Sequence, residues 1–359
     1  MKKLIVIITL IFMISFSSSF AISSHVTYVQ NFPSVNKKAR IIVIDMNNKN
    51  IKSVVGRAYN KMDSAQPLKD IVNSKNNESI KSIAAINGTY FSAYEGPPLP
   101  YGTIIEEGKV LHIGNYGSVI GFTKDNKMIM DNLNISIDGY INDQIDYYAW
   151  GINHPREEKD AIVIYTKEFK EDINFPSGKA VIVEDGFVKS IIQGQTNIRV
   201  EENQCIIVFN QDVSYLVDRF KIGDKVMYKC NIISKNIEQK KEASLKWTDV
   251  ESAIGAGPSL IIDGKITADG LAEGFFEAKI NTNRAQRSFI GFTKENKIFM
   301  GTVSNANLKE LAQICTELGL HNAMCMDGGA SSALYYEGKY VTNPGRNINN
   351  GLVFIEKME

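Results

Sequence analysis

AMCMDGGASSALYYEGKYVTNPGRNINNGL, residues 323–352, is the most informative stretch of this 359-residue chain. An apolar run typical of a strand leads directly into Asp327, which two glycines, an alanine and two serines follow. Glycine lets a ligand approach the backbone and permits positive φ, and serine adds hydrogen-bond donors without bulk. An ordinary hairpin turn also favours Asp-Gly, but it needs only one such dipeptide, whereas NPGRNINNG follows as a second turn-rich segment. The stretch therefore predicts a binding or catalytic site at Asp327.

The composition is typical of a globular protein with a large core, since 44% of the residues are hydrophobic and 22% are charged. The 40 lysines and arginines balance the 40 aspartates and glutamates, so no net field attracts nucleic acid and no nucleic-acid partner is expected. The length allows one large domain or two ordinary ones.

The N-terminus has the pattern of a secretory signal peptide. Two lysines precede the apolar residues 4–16, and small residues fill 17–21. An uncleaved anchor is the alternative, but an apolar run of about 13 residues is shorter than the roughly 20 that a bilayer span needs. We therefore expect a signal peptide at 1–21, a mature domain at 22–359, a secreted or cell-surface location, and no stable membrane span after cleavage.

Two segments of the chain nearly repeat. GFTKDNKMIM at 121–130 matches GFTKENKIFM at 291–300, and each is typical of a hairpin. The related helix starts LKDI at 68–71 and LKEL at 308–311 each lead to a strand that ends in Asn87-Gly88 or Asp327-Gly328. The repeat predicts an internal duplication with pseudo-twofold symmetry and Asn87 facing Asp327 across one cleft. Arg287 occupies the position where the first copy has Gly117, which favours a ligand role for the arginine.

The rest of the chain consists mainly of short β-runs broken by glycine, asparagine and aspartate. The clearest helix is predicted at 308–318, with Asn307 as its N-cap and Gly319 as its stop, and a weaker helix at 67–74. The predicted fold class is α+β, a mixed β-sheet core with few helices and a β-rich insertion at 150–247.

Five motifs now occur in a fixed order: AINGTYF at 85–91, GAGPSL at 255–260, RSFIG at 287–291, DGGASS at 327–332 and NPGRN at 343–347. Together they resemble the phosphodiester glycosidase family over most of the mature chain. Thr89 and Ala330 stand where the family has glycine, and both are small enough to leave the reactive groups in place. The resemblance implies a secreted hydrolase that cleaves the glycosidic bond of a sugar-1-phosphodiester, with a glycosyl phosphodiester or a cell-envelope polysaccharide as its partner. The alternatives are a non-catalytic carbohydrate-binding or envelope-assembly protein and, less favoured, a phosphodiesterase that cuts the P–O bond.

The resemblance also implies a set of site residues. Asp327, Arg287 and Asn87 are the expected catalytic group, because a carboxylate can activate water, an arginine fork matches phosphate oxygens, and an amide can bind a sugar hydroxyl. Whether Asp327 acts as nucleophile, base or structural residue stays open. The expected substrate-binding residues are Gly88, Tyr90, Gly328, Gly329, Ser331, Ser332 and Arg346.

Further acidic residues and one histidine are weaker candidates. A second acid, if the reaction needs one, would come from Asp269, Glu273 or Glu277, and a solvated loop is an equal alternative for that segment. His154 is more typical of a structural histidine. No cofactor or metal is predicted, although Asp327 and nearby carbonyls have the oxygen ligands that Ca²⁺ takes. The four cysteines have no metal-site spacing and are expected to be buried free thiols.

Overall fold

The computed structural model describes residues 24–235 and 240–358, so the expected signal peptide at 1–21 lies outside the described residues. The fold is predominantly β, with 51% of residues in strands and 15% in helices. The predicted α+β class is therefore wrong. The physical reason for the difference is that the helices are too short to form a layer of their own, so the apolar cores lie between sheets.

Four α-helices occur in the described ranges: α1 (Leu68–Asn73), α2 (Lys240–Lys246), α3 (Ala278–Asn281) and α4 (Leu308–Glu317). The strands in chain order are β1 (His25–Phe32), β2 (Lys37–Asp45), β3 (Ile51–Arg57), β4 (Ile80–Asn87), β5 (Ile104–Glu106), β6 (Lys109–His112), β7 (Ser118–Thr123), β8 (Met128–Ile141), β9 (Gln144–Ala149), β10 (Gly151–Ile152), β11 (Ile162–Thr166), β12 (Ile173–Glu184), β13 (Phe187–Ile198), β14 (Gln204–Phe209), β15 (Val226–Ser234), β16 (Val250–Gly255), β17 (Ser259–Ile262), β18 (Lys265–Ile266), β19 (Ala285–Phe292), β20 (Lys297–Ala306), β21 (Asn322–Met326), β22 (Leu334–Tyr336), β23 (Lys339–Thr342) and β24 (Asn350–Lys357).

Three sheets share one core. The Asp327 sheet has the order β1-β2-β20-β19-β21-β17-β18, and the Asn87 sheet has the order β23-β22-β4-β24-β3. The hairpin sheet runs β15-β8-β7-β16-β5-β6, with β9 paired to β8. Met324, Ile86 and Ile120, one from each sheet, belong to the same fully buried apolar cluster. Burial of this cluster removes apolar surface from water on all three sheets at once, which stabilises their packing against one another.

The fourth sheet, β10-β11-β14-β12-β13, has apolar residues on both faces. Neighbouring positions on β11 illustrate this, because Ile164 packs into one cluster and Val163 into another. Alternation with a period of two sends successive side chains to opposite faces of a strand. The predicted insertion at 150–247 contains this sheet, whereas its last strand, β15, pairs with β8 of the hairpin sheet.

The two repeated segments both form hairpins. β7 and β8 enclose one turn and β19 and β20 the other, and Asn126 and Asn296 occupy the left-handed region at φ 66° and 62°. The turns lie against each other, because the Asn296 amide donates to the Asn126 carbonyl at 3.3 Å. The strand neighbours differ, since β7 pairs with β16 and β19 with β21. The hairpins thus share a turn geometry, and the pseudo-twofold axis stays a prediction.

Helix α4 confirms the clearest helix prediction. Asn307 and Glu310 form a capping box, and Gly319 follows the last turn at φ 71°. α1 forms inside the weaker predicted range. Within the described part of the chain, no helix combines the length and apolar character that a membrane span requires.

Candidate active site

Asp327 follows β21, whose five residues are all buried between β19 and β17. The chain turns there, with Gly329 at φ 61° and a short 3₁₀ turn at Gly329–Ser331. Its carboxylate is half-buried on the wall of a cleft of about 570 Å³. Because β21 is held on both sides, the position of this carboxylate is set by the sheet.

The cleft combines aromatic rings with cationic side chains. Its ring-bearing and charged lining residues are Tyr90, Phe91, Tyr94, Tyr101, Tyr116, Phe275, Glu277, Lys279, Arg287, Asp327 and Arg346. Aromatic faces pack against sugar rings, and guanidinium groups bind phosphate oxygens. The lining therefore suits a ligand that contains both a sugar and a phosphate.

Burial raises the pKa of Asp327 from 3.8 to about 6. Hydrogen bonds from the Ser331 hydroxyl and the Gly328 N–H, and the charges of Arg346 and Lys279, oppose this rise in pKa. A carboxyl group with a pKa near neutrality can exchange protons efficiently in a reaction. Asp327 has the properties of a general acid or base.

Asn87 lies beside Asp327, and its side chain hydrogen-bonds to backbone groups on two sides. Its Nδ2 donates to the Asp327 carbonyl at 2.7 Å, and its Oδ1 accepts from the Ala333 N–H at 2.9 Å. The Asp327 N–H donates to the Gly88 carbonyl at 3.1 Å. Asn87 is 1% exposed and does not line the cleft. Its burial outside the cleft lining does not fit the predicted contact with a sugar hydroxyl, and its two hydrogen bonds tie the Asp327 loop to the strand end at Asn87.

Two nitrogens of the Arg287 guanidinium bind backbone carbonyls, and the third is available at the cleft. Nε donates to the Ala306 carbonyl at 3.0 Å, and Nη2 donates to the Lys279 and Asn283 carbonyls at 2.9 and 2.6 Å. Nη1 has no hydrogen-bond partner among the described residues, and it lies 3.8 Å from the point where a Cβ on Gly328 would stand. Nη1 of Arg287 is thus available at the Asp327 loop, and the ligand role of this arginine stays a prediction.

Arg346 reaches the cleft from the second turn-rich segment. The Gly345 N–H donates to the Ala330 carbonyl at 2.7 Å, which ties this segment to the Asp327 loop. Nη2 of Arg346 donates to the Tyr94 hydroxyl at 2.7 Å, and its guanidinium lies 4.7 Å from the centre of that ring. The two halves of the opening stretch therefore meet at one site.

The remaining predicted binding residues have different surroundings. Tyr90 lines the cleft and donates its hydroxyl to the Gly257 carbonyl at 2.9 Å. Gly88 is buried, and a Cβ there would stand 1.8 Å from the Asn350 side chain, so packing requires this glycine. Ser331 lines the cleft with Gly328 and Gly329, whereas Ser332 is buried outside the lining.

Only one of the three candidate second acids reaches the cleft. Glu277 lines it and lies 4.0 Å from the Lys279 ammonium. Glu273 accepts from the Ser259 N–H at 2.9 Å, and Asp269 accepts from the Leu271 N–H at 3.1 Å, so both brace their own loop. His154 lies outside the lining and pairs with His112 at 2.9 Å. Within the described ranges, no group of three acidic, histidine or cysteine side chains has the arrangement of a metal site.

Sequence reasoning missed most of the aromatic wall. Tyr94 and Tyr101 lie in the segment GTYFSAYEGPPLPYG, residues 88–102, directly after Asn87. A loop that is rich in tyrosine, proline and glycine and follows a strand end is a recognisable signal for a binding loop. Lys279 and Phe275 carry no local signal of this kind.

A family model described as phosphodiester glycosidase matches residues 177–355. This part of the chain belongs to the phosphodiester glycosidase family. The resemblance drawn from the sequence motifs is thus confirmed. The match includes Asp327, Arg287 and Arg346, whereas Asn87 and Tyr94 precede it. A glycosidase family is consistent with a glycan as the binding partner.

Two solved structures share the fold of this chain. A hypothetical protein from Synechocystis has a TM-score of 0.76 and 18% identity over 92% of this chain and 61% of its own. A Burkholderia pseudomallei protein that is described as exported has a TM-score of 0.71 and 14% identity over 89% of this chain and 74% of its own. This chain therefore spans about three fifths of the Synechocystis protein.

A third structure is the catalytic domain of zebrafish N-acetylglucosamine-1-phosphodiester alpha-N-acetylglucosaminidase, auto-inhibited by its pro-peptide. Its TM-score is 0.48, with 12% identity over 93% of this chain and 82% of its own. Among curated proteins, no sequence matches this chain.

Proposed function

We propose that this chain is an exported hydrolase that breaks the bond between the anomeric carbon of a sugar and a phosphodiester, with Asp327 as general base. The observation that carries the proposal is the Asp327 carboxylate, whose pKa burial raises to about 6, in a cleft with two arginines and an aromatic wall. Family membership supports glycosidase-type chemistry at this cleft. Asp327 and both arginines lie inside the matched residues.

The proposed reaction is a single displacement by water. The water oxygen forms a bond to the anomeric carbon, and the C–O bond to phosphate breaks with its electron pair leaving on the phosphate monoester. Asp327 takes the proton from the attacking water. The free edge of Arg287 and the guanidinium of Arg346 stabilise the charge on the departing phosphate. A phosphate leaves more readily than an alkoxide, so one carboxylate at the reacting carbon is sufficient.

The pH dependence follows from the role of Asp327. A general base acts in its deprotonated form, so kcat/KM is expected to rise with pH and to level off above about pH 6. The pH profile of wild-type kcat/KM measures this. An activity that falls as pH rises through the same range would assign Asp327 the role of acid.

Isotope labelling tests the reaction. The protein is incubated in H₂¹⁸O with a panel of sugar-1-phosphodiesters, and the labelled product is identified by mass spectrometry, with Asp327→Asn as the matched control. We expect ¹⁸O in the sugar and inversion at the anomeric carbon. Label in the phosphate would indicate a phosphodiesterase. No turnover on any member of the panel, together with retained binding, would indicate the non-catalytic carbohydrate-binding alternative.

Export is part of the proposal. The sequence pattern at 1–21 supports it, as does the likeness to a protein described as exported. An exported enzyme with this chemistry would act on cell-wall or capsular glycopolymers that contain sugar-1-phosphate links. Cell fractionation together with N-terminal sequencing of the exported form tests the location, and a chain retained in the cytosol would contradict it.

A further inference from the structure

Several large aromatic side chains are exposed at and beyond the cleft. Tyr94 is 84% exposed, Tyr101 is 40% exposed and Trp150 is 49% exposed. Single exposed aromatic residues are common on protein surfaces and need no explanation. These residues differ because Tyr94 and Tyr101 line the cleft and Trp150 is connected to it through Arg156 and His154.

The links run from the cleft wall to β9 and β10. Tyr101 lines the cleft, and its ring centre lies 6.4 Å from that of His154. Arg156 follows His154 by two residues and its charge lowers the pKa of that histidine. The guanidinium carbon of Arg156 lies 3.1 Å from the centre of the Trp150 ring. We name this surface, made of Tyr94, Tyr101, His154, Arg156 and Trp150, the aromatic strip.

Arg156 has unused capacity for an anion. Its Nε is buried and has no hydrogen-bond partner among the described residues. Its ion-pair partner is Glu158, at 3.7 Å from Nη1 and itself 53% exposed, so the pair is weak. Burial lowers the pKa of Arg156, because the guanidinium is partly removed from water without full compensation. The terminal nitrogens are the accessible donors, since the Arg156 side chain is partly exposed and Nη1 is only weakly paired. A guanidinium that stacks on an indole with its terminal nitrogens accessible is suited to bind phosphate.

We propose that the aromatic strip binds the neighbouring units of a glycopolymer whose sugars are joined through 1-phosphodiester links. Arg156 takes the next phosphate along the polymer, and Trp150 and Tyr101 pack against sugar faces. This inference rests on the proposed function, because it assigns the same cleft a polymeric substrate in place of a small phosphodiester glycoside. The aromatic strip continues from the cleft, and along it a cation lies between aromatic rings. This order matches a chain in which sugars and phosphates alternate.

Binding by calorimetry to two synthetic probes tests the inference. The probes are a methyl phosphodiester of one N-acetylglucosamine-1-phosphate unit and a trimer of the same units joined through phosphodiesters, with glucose versions of both. The variants are Trp150→Ala and Arg156→Gln. Tyr215→Ala is the matched aromatic control, since Tyr215 is 63% exposed and absent from the cleft lining, and Arg199→Gln is the cationic control.

We expect the trimer affinity to fall five- to tenfold in Trp150→Ala and in Arg156→Gln, with the single-unit affinity within twofold of wild type. Trp150→Phe keeps an aromatic face and should recover most of the trimer affinity, which separates stacking from a folding defect. The two control variants should bind both probes like wild type. An unchanged trimer affinity, or an equal loss for both probes, would overturn the inference.

Turnover of the same probes separates the two proposals. If wild type binds both probes and hydrolyses neither, the proposed function fails. The strip inference is then still decided by whether the strip variants lose affinity for the trimer and not for the single unit. If wild type hydrolyses both probes and the strip variants leave the trimer's KM unchanged, the strip inference fails alone.

Discussion

Two strand ends meet at the candidate site, and the polar side chains at these ends differ in burial and in hydrogen bonding. β4 ends at Asn87, whose amide satisfies the Asp327 carbonyl and the Ala333 N–H and is closed to solvent. β21 ends before Asp327, whose carboxylate is half-buried in the cleft with its pKa raised to about 6. One strand end carries a buried support, and the other carries the carboxylate that we propose reacts.

The comparison shows how a fold can hold an unfavourable charge in place. Burying a carboxylate without a full set of partners costs free energy, and such costs concentrate at functional sites. Asn87, in contrast, stabilises the fold, because it makes two buried hydrogen bonds across the boundary between the Asn87 sheet and the Asp327 loop. The two hairpins differ in a similar way. Arg287 of the second hairpin lines the cleft, whereas the equivalent residue of the first hairpin is Gly117, which carries no charge.

The largest expected effect is on turnover in Asp327→Asn. Asparagine keeps the shape of the side chain but cannot accept a proton from water, so kcat should fall by between about 10²- and 10⁴-fold. Steady-state kinetics on the substrate found in the labelling panel measures this. Turnover within threefold of wild type would remove Asp327 from the reaction.

The next largest effect is on stability in Asn87→Ala. Removal of the amide leaves the Asp327 carbonyl and the Ala333 N–H unsatisfied in a buried setting, so the free energy of unfolding should fall by about 2–4 kcal/mol. Urea unfolding measures the change. The control is Asn203→Ala, an exposed asparagine, which should change stability by about 0.5 kcal/mol or less. A stable Asn87→Ala protein with lost activity would make Asn87 a substrate ligand.

A smaller effect is expected in Arg346→Gln. The substitution removes a charge-assisted contact to phosphate at the cleft mouth, so KM should rise about tenfold, which corresponds to about 1.4 kcal/mol. Arg284→Gln is the control, because Arg284 pairs with Glu310 and does not line the cleft. If both variants raise KM equally, the effect comes from overall charge and not from a contact.

Local features of the fold were predictable from the sequence. The capping box at Asn307 and the left-handed asparagines of the two hairpin turns depend on residues close in the chain, and both are formed. The fold class was not predictable in this way, because strand partners come from distant segments. β24 lies between β4 and β3, and β22 pairs with β4, which no local pattern reports.

The candidate site likewise has a part that local sequence motifs predict and a part that depends on distant contacts. Asp327, Arg287 and Arg346 line one cleft, and each lies in a motif with its own chemical signal. The role of Asn87 was missed because its partners are backbone groups 240 and 246 residues away. Backbone groups have no sequence signature, so only the structure shows that the amide bonds to the backbone and is closed to solvent.

The most direct test of the contrast needs no substrate. The free energy of unfolding of wild type and Asp327→Asn is measured by urea denaturation between pH 4 and 8. Because the pKa of Asp327 is raised in the folded state, the stability contributed by its protonated form is complete below about pH 4 and is lost as pH rises through about 6. Asparagine does not titrate. The stability of the variant relative to wild type should therefore increase with pH, reaching an advantage of about 1–3 kcal/mol above pH 7. A relative stability that falls as pH rises would contradict the account, because the ionised carboxylate would then be a structural partner like Asn87.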